Sequence, residues 1–174
     1  MRLLALLPLA LLATGASAQN ARVEKPFRIE VGAFFPNYRG ASFGDDLGVA
    51  ASLGYAFARK GNVEILGSLR SAYHLATLGG GGASGAGDGA EDNSLTLTSA
   101  FVDARYAPVG CRFFGGVGLG VGRAILDDSP DHTGLLLAAE GGYSLSRSVY
   151  VAVRYQHGGP DAFRGATASL GFRL

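Results

Sequence analysis

The chain has no tryptophan and a single cysteine among its 174 residues. One thiol cannot close an internal disulfide, so no covalent staple holds this chain together. Basic and acidic side chains nearly cancel, 15 against 14, which leaves no excess of positive charge to recruit a nucleic acid. Long apolar runs are missing, with one exception at the very start, so no later segment qualifies as a transmembrane helix. That exclusion concerns helices alone.

The exception reads as an export signal. Met1-Arg2 gives a short positive start, Leu3 to Leu12 is almost unbroken apolar sequence, and Ala16-Ser17-Ala18 supplies the small-x-small pattern that signal peptidase requires. The run falls short of the roughly 18–20 residues that a helical anchor needs. No cysteine follows the small residues, which argues against a lipid-anchored start. Residues 1–18 are therefore expected to be a cleaved signal peptide and residues 19–174 a single domain, long enough for a real core. Once Arg2 is gone the two signs of charge balance. Glycine, at 28 residues, is more than twice as abundant as usual.

Beyond residue 18 the apolar residues recur every second position, the period of a strand. Phe27, Ile29, Val31, Ala33 and Phe35 form the first such face, and Leu47 to Phe57, Val63 to Leu75, Leu135 to Leu145, Val149 to Tyr155 and Ala166 to Leu174 repeat it. The segment at about 94–106 is less clean. Ala100, Val102, Ala104 and Tyr106 share a face, but Leu95 and Leu97 fall on the opposite parity, which predicts a bulge or a frayed start. The stretch FFGGVGLGVGRA, 113–124, completes a set of eight strands. Short connections at 58–62, 107–110 and 146–148 alternate with long ones at 36–46, 76–93, 125–133 and 157–165. The fold class expected is all-β: an eight-stranded antiparallel up-and-down transmembrane β-barrel, with tight turns at the periplasmic end, larger loops outside and both termini periplasmic.

A soluble, lipocalin-like barrel also alternates, but keeps its apolar face inside and its charges in water. Within the strands Arg28, Glu30, Glu64, Arg70, Asp103, Arg105, Arg112, Glu140, Arg154 and Arg173 all lie opposite the continuous apolar face. In a membrane barrel these ten become a paired charge network in the lumen. The aromatic residues of the apolar face favour lipid outside, because they gather at both strand ends as two interfacial girdles. Phe27, Tyr55, Phe57, Tyr106, Phe113, Tyr143 and Phe172 fall at the turn side, and Phe35, Tyr73 and Tyr155 at the loop side.

The glycines of 113–124 invite a phosphate-cradle reading. Such a cradle needs a helix N-terminus to receive the anion, and the acidic segment 125–131 follows instead. As a strand, the stretch turns Phe113, Val117, Leu119 and Val121 to lipid, while Gly116, Gly118, Gly120 and Gly122 leave the lumen face bare. That strip is expected to make room for Asp103, Arg105 and Glu140.

Signal peptide, strand count, loop alternation and the terminal ATASLGFRL together resemble the small outer-membrane β-barrels of Gram-negative-type bacteria, the outer-membrane protein A transmembrane domain and the outer-membrane protein W and X types. The resemblance covers the chain from Gln19 onward and rests on pattern. It implies an outer-membrane location, contact with outer-membrane lipid and lipopolysaccharide, and recognition by the barrel assembly machinery. Members commonly end in Phe, whereas this chain ends in Leu174 with Phe172 two residues earlier.

For chemistry the sequence offers little. The long loops hold Asp45, Asp46, Asp88, Glu91, Asp92, Asp127, Asp128, Asp131 and Asp161 against Arg39, Arg123 and Arg164, without the ligand spacing of a calcium site. Residues 79–92 are low in complexity. Barrel lipases that deacylate lipid A carry a Ser two residues after a His near a late strand end. Here His157 is followed at that distance by Gly159, so acyl transfer lacks its nucleophile. The expectation is a monomeric, non-enzymatic barrel without cofactor or metal. It would anchor structure or meet partners through its loops, with a narrow solute channel and a lipid A-modifying enzyme as the alternatives.

Overall fold

A computed structural model of the chain describes residues 24–37, 47–75, 94–126, 129–159 and 161–174. The expected signal peptide, 1–18, lies outside these residues, as do the loop acids Asp45, Asp46, Asp88, Glu91, Asp92, Asp127 and Asp128. Eight strands, β1 (Phe27–Pro36), β2 (Gly48–Lys60), β3 (Val63–Leu75), β4 (Ser94–Tyr106), β5 (Phe113–Leu126), β6 (Ser129–Ser144), β7 (Val149–Gly158) and β8 (Gly165–Arg173), pair in chain order. Every pairing is antiparallel, and β8 returns to β1 to close the barrel. That seam runs from Arg28↔Arg173 to Pro36↔Gly165. Closure leaves no free sheet edge along the paired wall, which is what a strand bundle needs in order to stand in lipid.

The turns follow from local chemistry. Lys60 and Val63 flank a two-residue connection whose Gly61 has φ 58, a conformation that side chains with a Cβ resist. In the β4–β5 turn, Cys111 N–H donates to Pro108 O at 3.1 Å across Gly110, φ 80. In the β6–β7 turn the Ser146 hydroxyl accepts from Ser148 N at 3.2 Å and Val149 N at 3.0 Å, replacing ladder bonds where the chain reverses.

The wall is apolar outside, and the centre and turn end of its interior are polar, the inverse of a soluble barrel. Leu53, Leu69, Val117 and Leu135 are 62, 63, 65 and 70 % exposed, whereas Arg28, Glu30, Glu64, Asp103, Arg105 and Arg154 are buried. A continuous apolar surface of this extent is incompatible with water and compatible with acyl chains.

Three expectations need correction. β4 is regular from Ser94 to Tyr106, with no bulge against either neighbour. Leu95 and Leu97 keep their register and point inward because the loop end of the lumen is apolar. The irregularities lie instead between Ala56 and Ala58 and between Ala124 and Leu126. The 125–133 connection is far shorter than its Asp and Pro content suggests, since β5 runs on to Leu126 and β6 resumes at Ser129. Arg112, finally, precedes β5 and is exposed, so it belongs to the turn and not to the lumen.

Candidate functional site

The lumen divides into three layers along its axis. At the centre, Glu30 of β1, Arg70 of β3, Arg105 of β4 and Glu140 of β6 form a closed ring of alternating charge. Arg70 Nη1 reaches Glu30 Oε2 at 3.0 Å and Arg70 Nη2 reaches Glu140 Oε2 at 3.6 Å. Arg105 Nη2 lies 2.6 Å from Glu140 Oε1 and 3.5 Å from Glu30 Oε1. Arg154 extends the ring, donating to Asp103 Oδ1 at 2.8 Å and lying 3.6 Å from Glu140 Oε2. Hydroxyls fill remaining lone pairs: Tyr150 donates to Glu30 at 2.7 Å, Ser52 to Glu30 at 3.1 Å and Ser68 to Asp103 at 2.8 Å. Strand alternation explains why six strands deliver these groups to one level, since each places every second residue inward.

Toward the turns, Arg28 Nη2 pairs with Glu64 Oε2 at 3.1 Å, with Arg59 3.7 Å from the other carboxylate oxygen at the rim. Arg28 also donates to the carbonyl of Lys25. Arg173 donates to Ser144 Oγ at 2.9 Å and stacks its guanidinium 4.8 Å from the Tyr150 ring. Arg105 lies 4.6 Å from the Phe114 ring centroid, so the aromatic faces serve as second partners for cations that carboxylates do not fully surround.

Toward the loops the lumen turns apolar. Phe34, Ala72, Leu95, Leu97, Phe101, Ala124, Leu136 and Ala138 pack together with Ala162 and Phe163. The last two come from a 3₁₀ turn, Asp161–Phe163, in the β7–β8 connection. Gln156 Nε2 donates to Phe163 O at 3.2 Å and Asn37 N to Arg164 O at 2.9 Å, so the connection is tied to β7 and to the end of β1. A cavity of about 20 Å³ survives between the layers, beside Glu30, Arg70, Ser99 and Gln156, room for a water and no more.

The glycine strip of β5 is one thin wall of this filling. A Cβ on Gly118 would collide with the Asp103 carboxylate and lie 2.9 Å from Arg154 Nη2. On Gly116 it would meet the β4 backbone beside Arg105, at 2.9 Å from Ala104 O. On Gly120 it would meet the Phe101 ring at 2.6 Å and on Gly122 the Leu136 methyl at 2.7 Å. Ions thus use the turn-side half of the strip and apolar groups the loop-side half. The same device recurs where the Tyr150, Phe114 and Phe34 rings lie over Gly171, Gly142 and Gly165, large side chains seated on bare backbone of the facing strand.

Of the ten charges predicted for the lumen, nine come together and Arg112 does not. The sequence did not announce the apolar plug, because Leu95, Leu97, Leu136 and Phe163 break the polar-inside rule by which the strands were recognised. The ten predicted girdle aromatics lie on the outer face. Phe27 packs edge-on against Tyr55 at 5.1 Å and Phe113 against Tyr143 at 4.9 Å. His157 is exposed on the outside of β7, paired with Leu137, and Gly159 follows it. No set of three His, Cys, Asp or Glu side chains able to hold a metal occurs among the described residues. Among the described residues the lumen carboxylates Glu30, Glu64, Asp103 and Glu140 are each engaged by a guanidinium.

No protein-family model matches the sequence, and no curated protein matches it. Solved structures do match. Neisserial surface protein A superposes with a TM-score of 0.56 at 18% identity, over 85% of this chain and 96% of that one. Ail, the attachment invasion locus protein of Yersinia pestis, superposes in its phospholipid nanodisc structure with a TM-score of 0.54 at 14% identity, covering 87% of this chain and all (100%) of Ail. Its crystal structure with the heparin analogue sucrose octasulfate gives 0.52 at 16%, with the same coverage. At these identities the likeness establishes architecture: the chain has the fold of the small bacterial outer-membrane β-barrels.

Proposed function

We propose that this chain is exported by its N-terminal signal, received by the barrel assembly machinery and inserted in the outer membrane as a monomer whose work is done outside the barrel wall. Both termini are then periplasmic and the four loops face outward. In this reading the protein is a non-enzymatic anchor and surface-interaction protein. The aromatic side chains of the outer face sit at the two lipid interfaces, and lipopolysaccharide surrounds the loop end.

The observation that carries the reading is the filled lumen. A ring of paired ions, an aromatic layer and an apolar plug occupy one after another the space through which a solute would pass. Eight strands enclose an interior only wide enough for side chains, so a narrow channel is the weaker alternative. A lipid A deacylase is weaker still, with His157 facing outward and Gly159 in the nucleophile's place. The similar structures are those of a neisserial surface protein and of an attachment invasion locus protein, which supports a role at the cell surface. The sulfated ligand of the Ail complex transfers poorly, because the loops of this chain are predominantly acidic in sequence.

Two measurements on one preparation test the proposal. The folded protein is expected to migrate faster on a detergent gel before boiling than after, and to leave a planar bilayer electrically silent. Identical mobility together with a soluble cell fraction would sink the membrane reading, and steady single-channel conductance would replace the anchor with a pore.

A further inference from the structure

The turn end of the barrel carries a charge pattern that the anchor reading leaves unused. The three turns contribute Arg59 and Lys60, Arg112, and Arg147, and between 58–62, 107–112 and 145–148 there is no acid at all. Lys25 adds a further cation ahead of β1, beside Glu24. The turns join β2 to β3, β4 to β5 and β6 to β7, while Lys25 stands at the β8–β1 seam. The cations therefore occupy alternate gaps around the whole circumference, which makes a ring and not a patch on one side.

These side chains are not spent on internal pairing. Arg59 reaches Glu64 at 3.7 Å and Lys25 Nζ donates to Ser148 Oγ at 2.6 Å, but Lys25, Lys60, Arg112 and Arg147 form no ion pair among the described residues, and all four residues are exposed. Their depth is set by the aromatic residues beside them. Phe27 with Tyr55 and Phe113 with Tyr143 lie on the outer wall just inside the ring, and Arg112 Nη1 donates to the Tyr143 hydroxyl at 3.4 Å. Aromatic side chains of this kind settle at headgroup level, which puts the neighbouring cations among phosphates. The loop end, acidic in sequence, has the opposite sign.

We propose that this ring binds the anionic phospholipids of the leaflet facing the turns, with Lys25, Lys60, Arg112 and Arg147 matched to phosphodiester and headgroup charge. The inference rests on the membrane reading given above. Cations held near an anionic lipid surface attract it within a Debye length, so the preference is local and sensitive to salt.

Electron spin resonance of the folded chain from Gln19, reconstituted in phosphatidylcholine vesicles, provides the test, with spin-labelled phosphatidylglycerol or spin-labelled phosphatidylcholine as probe. The wild type is expected to favour the phosphatidylglycerol probe about two- to fivefold at low salt. The preference should fall toward parity in about 0.5 M NaCl and in a Lys60→Gln, Arg112→Gln, Arg147→Gln triple variant. Arg123→Gln, on the far end of β5, should keep it. Equal association of the two probes with wild type, full retention by the triple variant, or an equal loss in Arg123→Gln overturns the ring. Gel mobility before and after boiling, taken on the same samples, separates the two levels. A shifted band without lipid preference overturns the ring alone, and an unshifted band overturns the membrane reading and the ring with it.

Discussion

Asp103 shows how little slack the lumen has. Its carboxylate takes Arg154 at 2.8 Å and the Ser68 hydroxyl at 2.8 Å, and it sits against the bare backbone of Gly118. Asp103→Ala leaves Arg154 buried with one longer contact to Glu140, and removing one partner of a buried pair costs about 3–5 kcal/mol. The expected readout is a clear drop in the denaturant midpoint at which the fast-migrating folded band disappears. Arg123 and Asp131 form an ion pair as well, but their side chains are 62 and 40 % exposed. Arg123→Ala should therefore shift the same midpoint by less than about 0.5 kcal/mol equivalent. A second pair of variants tests the glycine strip by space alone. Gly118→Leu should prevent or severely weaken folding, because carboxylate and guanidinium already fill the volume. Gly141→Ala, with nothing within 4 Å of the added Cβ, should be neutral in the same assay. Equal effects at the two glycines would refute the packing account.

Among the elements, β4 and the β7–β8 connection carry most of what the sequence concealed. Alternation of apolar and polar residues made the wall legible, since Ile29, Leu53, Leu69, Val117 and Val153 had to share a face for any barrel to form. That inference assumed one polarity for the whole interior. Leu95, Leu97 and Leu136 violate it because the lumen is polar only through its centre and turn end, so a regular strand read as a defective one. The β5–β6 hairpin hid itself differently: Asp127, Asp128 and Pro130 are turn formers, yet the ladder persists to Leu126↔Ser129. Phe163 had no signal at all, since one buried aromatic in a polar connection has no periodicity to betray it. Its ring is fully buried in the plug, so Phe163→Ala should cost about 3 kcal/mol. Limited proteolysis should then cut the β7–β8 connection where the wild type resists. Unchanged protease resistance would mean that the 3₁₀ turn is held by Gln156 and Asn37 alone.

For the molecule as a whole, the layers make independent seals. Phe163→Ala opens the apolar plug but leaves the Glu30–Arg70–Glu140–Arg105 ring intact, so planar bilayers should stay silent with this variant as with wild type. Appearance of conductance on that single change would place the only barrier at the mouth. The seam between β1 and β8 has a consequence for the birth of the protein. Glu30 lies on β1 and the Tyr150 hydroxyl that caps it lies 120 residues later, while the strand that closes the ladder, β8, follows the other seven in chain order. An unfinished sheet would hold carboxylates and guanidiniums with their partners still absent, and it would be most costly in the lipid where it must end. Such long separations slow folding. They also make the event nearly all-or-none: without β8 the sheet cannot close on β1, so a version of this chain lacking β8 should not rest stably in a membrane.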